Sequence, residues 1–354
     1  MAAGLIAFSI ALLASLTLTV PVRALALRVG MVDLPGPRKV HLQPIPLLGG
    51  LAIYAGVLIA ILTVFDGSAR AQVEGIFAGA TLVIAVGILD DRGWLHHQIK
   101  LFVGMPLAAL ILLASGIHAQ VFSVLVGGTA GWFLDAALTV FWVVGITASF
   151  SILDHMDGLC AGVAAMASVF FAMVAYLNGQ ALVTILAAAV LGAAAGFLRW
   201  NFKPAKIFMG DAGAMFLGFL MATLGLKLRL AHVNHFAAWV APILILGVPV
   251  LDTALVSISR VRRGLLPFAS PGKDHAAYRL ANLGLGQRGA VLAVYLTGAA
   301  SGGAAVLVSY LPANSIFLAV LLAVGLALIG IVLLERAPYE RQESAKREPE
   351  FSGD

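Results

Sequence analysis

Apolar runs of membrane-spanning length recur along almost the whole chain, broken only by short polar islands. They lie at roughly 4–27, 47–65, 75–89, 101–117, 132–150, 159–177, 181–198, 213–229, 237–259, 289–309 and 314–334. A helix needs about 17–25 predominantly apolar residues to cross lipid. Inside the bilayer its backbone must satisfy its own hydrogen bonds. The expectation is an all-α, polytopic integral membrane protein with about eleven transmembrane helices. Composition sharpens this: 61% of residues are hydrophobic and 11% charged, against roughly half and a quarter in soluble domains. The abundant Gly and Ala suit close helix packing in lipid. The start, Met1–Leu5, carries no Lys or Arg, so the first run reads as an uncleaved helix and not as a signal peptide. A single cysteine, Cys160, excludes an intramolecular disulfide framework.

Lys and Arg set the orientation. Of the 22 in the chain, 18 fall in the set of alternate loops 28–46, 90–100, 148–158, 199–212, 260–288 and the tail after 334, of which only 148–158 holds none. The opposite loops hold only Arg70, Lys227 and Arg229. The first set is therefore expected in the cytoplasm, with the N-terminus outside and the C-terminus cytoplasmic. Residues 1–335 read as one transmembrane domain, and 336–354, charged and Pro-containing, as a disordered cytoplasmic tail. The net charge of +5 does not indicate nucleic acid, because the basic residues sit in short loops and not on one continuous face.

All the unusual polar islands share that cytoplasmic side. Loop 28–46 holds Arg38, Lys39 and His41 among prolines, followed by Gly49-Gly50. The cations suit either an anion or plain topological anchoring, and the glycines either ligand approach or tight packing. Asp90-Asp91 closes an apolar run. Adjacent carboxylates at a helix C-terminus are disfavoured twice, by each other and by the helix dipole. Mg²⁺ or a cationic side chain such as Lys100 has to compensate. The island Ala148–Cys160 carries no basic residue but has Asp154 and Asp157 three apart, on one helical face. Unpaired carboxylates in a membrane protein mark function by default, and hard oxygens suit Mg²⁺ bridging to phosphates.

The stretch from Asn201 to Gly213 packs an amide, Lys203, Lys206, Phe208 and Asp211 between two glycine-flanked apolar runs. Asp211 is either a helix N-cap or a metal ligand. The lysines suit phosphates, and Phe208 either packs or stacks on a base. Loop 260–288 is the largest island, with Arg260, Arg262, Arg263 and Lys273-Asp274-His275. Its cations suit a phosphorylated lipid or retention inside. Asp274-His275 suits an oriented imidazole.

Taken in order, these islands closely resemble the polyprenyl-phosphate N-acetylhexosamine-1-phosphate transferases, within glycosyltransferase family 4. The resemblance covers roughly residues 28–290, and its most specific segment is Phe208-Met-Gly-Asp211. It implies transfer of a sugar 1-phosphate, such as N-acetylglucosamine 1-phosphate, from a UDP-sugar to undecaprenyl phosphate. UMP is released and a lipid-linked envelope glycan begins. It further implies a Mg²⁺ requirement, with Mn²⁺ as the substitute ion. The setting it implies is the bacterial inner membrane with a cytoplasmic site, and the outer helices permit a homodimer.

By the same resemblance Asp90, Asp91, Asp154, Asp157 and His275 would be catalytic, with Asp90 deprotonating or orienting the acceptor phosphate. Asp211, with Asp91 and Asp154, would hold the metal. Lys100, Asn201 and Phe208 would bind substrates by that resemblance, and Lys203, Lys206, Arg262, Arg263, Lys39 and His41 would bind them by their charge. The loop Lys273–Leu280 resembles the glycan-priming branch more than the alternative, the phospho-MurNAc-pentapeptide translocase of peptidoglycan synthesis. The chain differs from the family at Ala148, Ser151, His155 and Tyr278, which bears on sugar preference. Two rivals of other classes are a transporter and a catalytically weak membrane scaffold. Ionisable groups at helix ends on one side disfavour the first, and the five intact aspartates the second.

Overall fold

In the computed structural model the described residues are 1–35, 43–230, 238–266 and 272–337. Helices occupy the apolar runs in order. They are α1 Ala2–Arg28, α2 Gly49–Val64, α3 Arg70–Asp91, α4 Lys100–Ala114, α5 Gly128–Leu153, α6 Leu159–Leu177 and α7 Ala181–Asn201. After them come α8 Gly210–Lys227, α9 Val240–Ile245, α10 Gly247–Arg262, α11 Ala276–Val308 and α12 Ala313–Glu335. Among the described residues seven helices are long and apolar enough to cross a membrane, and α2 and α4 are shorter apolar helices. The ninth apolar run, 237–259, is split into α9 and α10 at Leu246. A two-residue antiparallel ladder, β1 Val32–Asp33 with β2 Ile45–Pro46, closes the base of the first loop.

The bundle is built around α8. Apart from Asp211 and Lys227, its residues are buried on every side, as expected for a helix that is apolar all round. Helices α2, α3, α5 and α6 pack directly on it. Small residues set how close the rods come. Gly192 and Gly196 of α7 lie against the α1 backbone, where a Cβ at Gly196 would stand 2.5 Å from the Leu12 carbonyl oxygen. With few hydrophobic gains available in lipid, such close packing is a main source of helix association. Helix α12 is at the other extreme, almost wholly exposed, with its leucines outward. The tail from residue 338 lies outside the described residues.

Gly49-Gly50 proves to be a packing device. Their N–H groups donate to the carbonyls of Phe208 and Met209 at 3.0 Å. A Cβ on Gly50 would collide with the Gly213 backbone. The start of α2 is thereby locked to the segment leading into α8.

Candidate active site

The site grows from the N-terminus of α8. The first N–H groups of a helix lack intrahelical partners, and negative charge there is favoured by the dipole. Here the partner comes from another helix. Asp91, the last residue of α3, accepts the N–H of Asp211 at 2.8 Å through Oδ1 and the N–H of Ala212 at 3.2 Å through Oδ2. Asp211 is therefore not the N-cap that its position suggests, but a first-turn residue. Gly210 sits at φ +71°, and a Cβ there would collide with the Asp91 carboxylate. Glycine is required for both reasons.

The cation beside the carboxylate pair is Lys100. Its Nζ lies 2.7 Å from Asp90 Oδ2 and 2.9 Å from Asp211 Oδ2. Ser151 donates its hydroxyl to Asp211 Oδ1. Lys100 enters at the head of α4, and Asp211 is reached across 111 residues of sequence. Neither Asp90 nor Lys100 is among the residues lining the cavity beside this cluster. Asp90 holds Lys100.

A cavity of about 590 Å³ opens beside this cluster. Asp91, Asp154, Asp157, Asn201, Lys203, Phe208 and Asp211 all line it. The islands that carry them are thus brought together as the sequence suggests. Asp157 and Asn201 also do structural work. Asp157 Oδ2 accepts the Ala205 N–H at 3.0 Å. Asn201 is buried, accepts the Gly158 N–H and donates to the Ile207 carbonyl, both at 3.0 Å. Its amide ties two loops together, which limits what it offers a nucleotide. Burial, reinforced by the carboxylates of Asp211, Asp91 and Asp157, pushes the Asp154 carboxyl up to about 8. That corner of the site is short of positive charge.

Other expected residues lie elsewhere. Lys206 is exposed on the far side of its loop, with Nζ 5.6 Å from the Trp200 ring centroid. Arg262 is exposed, 3.9 Å from Glu335. Arg263 is tied to Asp274 at 2.5 Å and to the Ser259 carbonyl at 3.0 Å. Lys39 and His41 fall outside the described residues.

His275 does not reach the cavity. It is buried, with Nδ1 2.7 Å from Asp252 Oδ2. Its oriented partner is therefore Asp252 and not Asp274, which instead accepts from Arg260 at 3.0 Å through each of its oxygens. Burial alone would raise Asp274, but hydrogen bonds from Arg260 and Arg263 outweigh it and hold the carboxyl below the usual range. Fully buried Arg279 completes this anchor. It donates to the Asp274 carbonyl at 2.8 Å, to Ser259 Oγ at 2.9 Å and to the Leu334 carbonyl at 2.9 Å, and it pairs with Glu335.

Several lining residues carry little or no signal in sequence. Asp33 comes in through the short β ladder, and Gln287 through α11. Ser151, His155 and Tyr278 also line the cavity. They stand out in sequence only as differences from a family pattern. His155 stacks on His275 at 4.2 Å and on Tyr278 at 4.7 Å between ring centroids. Burial, with the neighbouring His275, pushes the His155 imidazole down to about 3.

Among the described residues, no group of three or more His, Cys, Asp or Glu is arranged to hold a metal ion. Asp91 has both oxygens engaged by backbone N–H groups. Asp154, Asp157 and Asp211 also line the cavity, and carboxylate oxygens of this kind suit a hard divalent ion.

Comparison with known proteins agrees with this picture. The profile for glycosyl transferase family 4 matches residues 73–229. The chain is 38% identical over 297 residues to a probable undecaprenyl-phosphate N-acetylglucosaminyl 1-phosphate transferase of Bacillus subtilis, covering 83% of this chain and 81% of the relative. It is 32% identical to a decaprenyl-phosphate N-acetylglucosaminephosphotransferase of Mycolicibacterium smegmatis, over 91% and 86%. It is 27% identical to an undecaprenyl-phosphate alpha-N-acetylglucosaminyl 1-phosphate transferase of Escherichia coli, over 81% and 79%.

Proposed function

The chain belongs to glycosyl transferase family 4, and from that premise we propose that it moves N-acetylglucosamine 1-phosphate from UDP-N-acetylglucosamine onto a polyprenyl phosphate. The observation that carries the reading is one cavity walled by Asp91, Asp154, Asp157 and Asp211, with Lys203 and Phe208 opposite in chemistry. The acceptor is a lipid, in keeping with relatives whose names specify undecaprenyl or decaprenyl phosphate. The loop charge balance supports a cytoplasmic face for the cavity, the side on which a soluble sugar nucleotide is supplied.

In this reaction an acceptor phosphate oxygen attacks the sugar-bearing phosphorus. The phosphoanhydride bond breaks, and UMP leaves with the bonding electron pair. The attacking phosphate is already anionic near neutral pH, so no strong base is required. Phosphoryl transfer asks mainly for positioning and charge neutralisation. Lys203 is the cavity lysine suited to the diphosphate, and Phe208 offers a ring face to the uracil. Lys100 fixes the Asp211 carboxylate while Asp91 fixes the helix turn that carries it. Asp154 and Asp211 would hold Mg²⁺ together with substrate phosphate oxygens. When bound, that ion would offset the charge on the diphosphate and the departing UMP.

The test is UMP release by the purified protein with undecaprenyl phosphate, Mg²⁺ and a panel of UDP-sugars. Release with UDP-N-acetylglucosamine, dependent on the lipid, is the expected result. Equal release without the lipid acceptor would mean hydrolysis and would refute the transfer.

A further inference from the structure

Ser151 directs its hydroxyl to an unexpected partner. A serine or threonine inside a helix can return its hydroxyl to the carbonyl four residues earlier, and many in this bundle do. In α5 itself, Thr139 donates to the Asp135 carbonyl and Ser149 to the Gly145 carbonyl, both at 2.7 Å. Thr81, Thr184 and Thr223 follow the same pattern in α3, α7 and α8. Ser151 lies two residues beyond Ser149 in the same helix, yet its hydroxyl donates to Asp211 Oδ1 on α8. The hydrogen bond spans 60 residues of sequence.

The result is that Asp211 is held twice. Ser151 takes Oδ1, and Lys100 Nζ takes Oδ2 at 2.9 Å. The two tethers come from different helices, α5 and α4, so rotation of the carboxylate about its own bond is blocked. They are not equivalent. Lys100 also binds Asp90 at 2.7 Å, so its charge is shared between two carboxylates. The Ser151 hydroxyl has a single hydrogen to give, and Asp211 receives it. Each carboxylate oxygen has about two acceptor sites, so both oxygens of Asp211 keep capacity for a cation. Ser151 and Asp211 line the same cavity.

We propose that Ser151 is a positioning residue, whose hydroxyl, together with Lys100, holds the Asp211 carboxylate in the orientation that receives a divalent ion and its substrate phosphates. The proposal rests on the transferase reading above. Orientation matters here because phosphoryl transfer draws most of its acceleration from positioning and charge neutralisation, and small misplacements of the groups that do this are costly.

The test compares wild type, Ser151→Ala and Ser151→Thr in two assays. The first needs no turnover. Mg²⁺ is titrated against melting temperature in detergent, and the concentration that gives half of the full shift is read. That concentration should rise about tenfold in Ser151→Ala, the size of one hydrogen bond. Ser151→Thr keeps a hydroxyl and should recover most of the loss. The second assay is UMP release at subsaturating Mg²⁺. Turnover should fall by a comparable factor in Ser151→Ala and return as Mg²⁺ is raised, a rescue that a merely structural defect would not show. Wild-type Mg²⁺ dependence in Ser151→Ala would overturn the proposal, as would equal losses in the Ala and Thr variants. If the Ala variant does not accumulate, Ser151→Cys takes its place, since a thiol is only a weak donor. If Mg²⁺ leaves the wild-type melting temperature unmoved, the Mg²⁺ dependence of UMP release decides by the same criteria. Absence of UMP release by the wild type itself would instead sink the transferase reading.

Discussion

At the scale of single residues, the site is a set of carboxylates distinguished by their partners. Asp90 faces Lys100, Asp91 faces two backbone N–H groups, and Asp211 is shared between Lys100 and Ser151. Asp154 is the one pushed up to about 8. Between an unfolded carboxyl near 4 and that value, the folded protein binds the extra proton. Stability without divalent cations should therefore fall as pH rises from about 4 to about 8, since the folded state must give up that proton. Melting temperature in detergent across this window should decline for wild type and much less for Asp154→Asn, and Mg²⁺ should flatten the wild-type slope. The residue types at this site were legible in sequence, but their partners were not. Asp91 caps a helix 120 residues away, and no local pattern encodes that. Likewise Asp274-His275 reads as an adjacent pair, whereas the fold sends Asp274 to Arg260 and His275 to Asp252.

At the scale of elements, the apolar runs located most helices within a few residues, but nothing in them marked α8 as the buried centre of the bundle. What the runs could not reveal is the arrangement of the large basic loop. Its cations suggested a phosphate site, yet Arg260, Arg263 and Arg279 bind Asp274 and the end of α12. Arg279 has no exposed surface. Removing one partner of a buried ionic network leaves an uncompensated charge, typically at a cost of about 3–5 kcal/mol. Arg279→Ala should lower stability by that order in thermal or denaturant unfolding, whereas Arg262→Ala, at an exposed position, should change it by less than about 1 kcal/mol. Equal stability of the two variants would mean that the loop is not anchored through Arg279.

At the scale of the whole molecule, the proposed orientation gathers the carboxylate cavity and most Lys and Arg on one face. Cys160 is buried, so a Cys160→Ser background permits single-cysteine labelling. In intact cells a membrane-impermeant maleimide should label Ser68→Cys, and should label Gln98→Cys only after the membrane is opened. The reverse pattern would invert the topology and place the cavity on the wrong side for a cytoplasmic donor. The central claim is that the α8 carboxylate cavity performs the transfer. The most direct measurement is UMP release from UDP-N-acetylglucosamine and undecaprenyl phosphate by wild type, Asp211→Asn and Lys206→Ala side by side. Asp211 lines the cavity and Lys206 does not. The prediction is release by the wild type, a fall of about a hundredfold or more in Asp211→Asn, and most of the activity kept in Lys206→Ala. Wild-type turnover in Asp211→Asn would contradict the account.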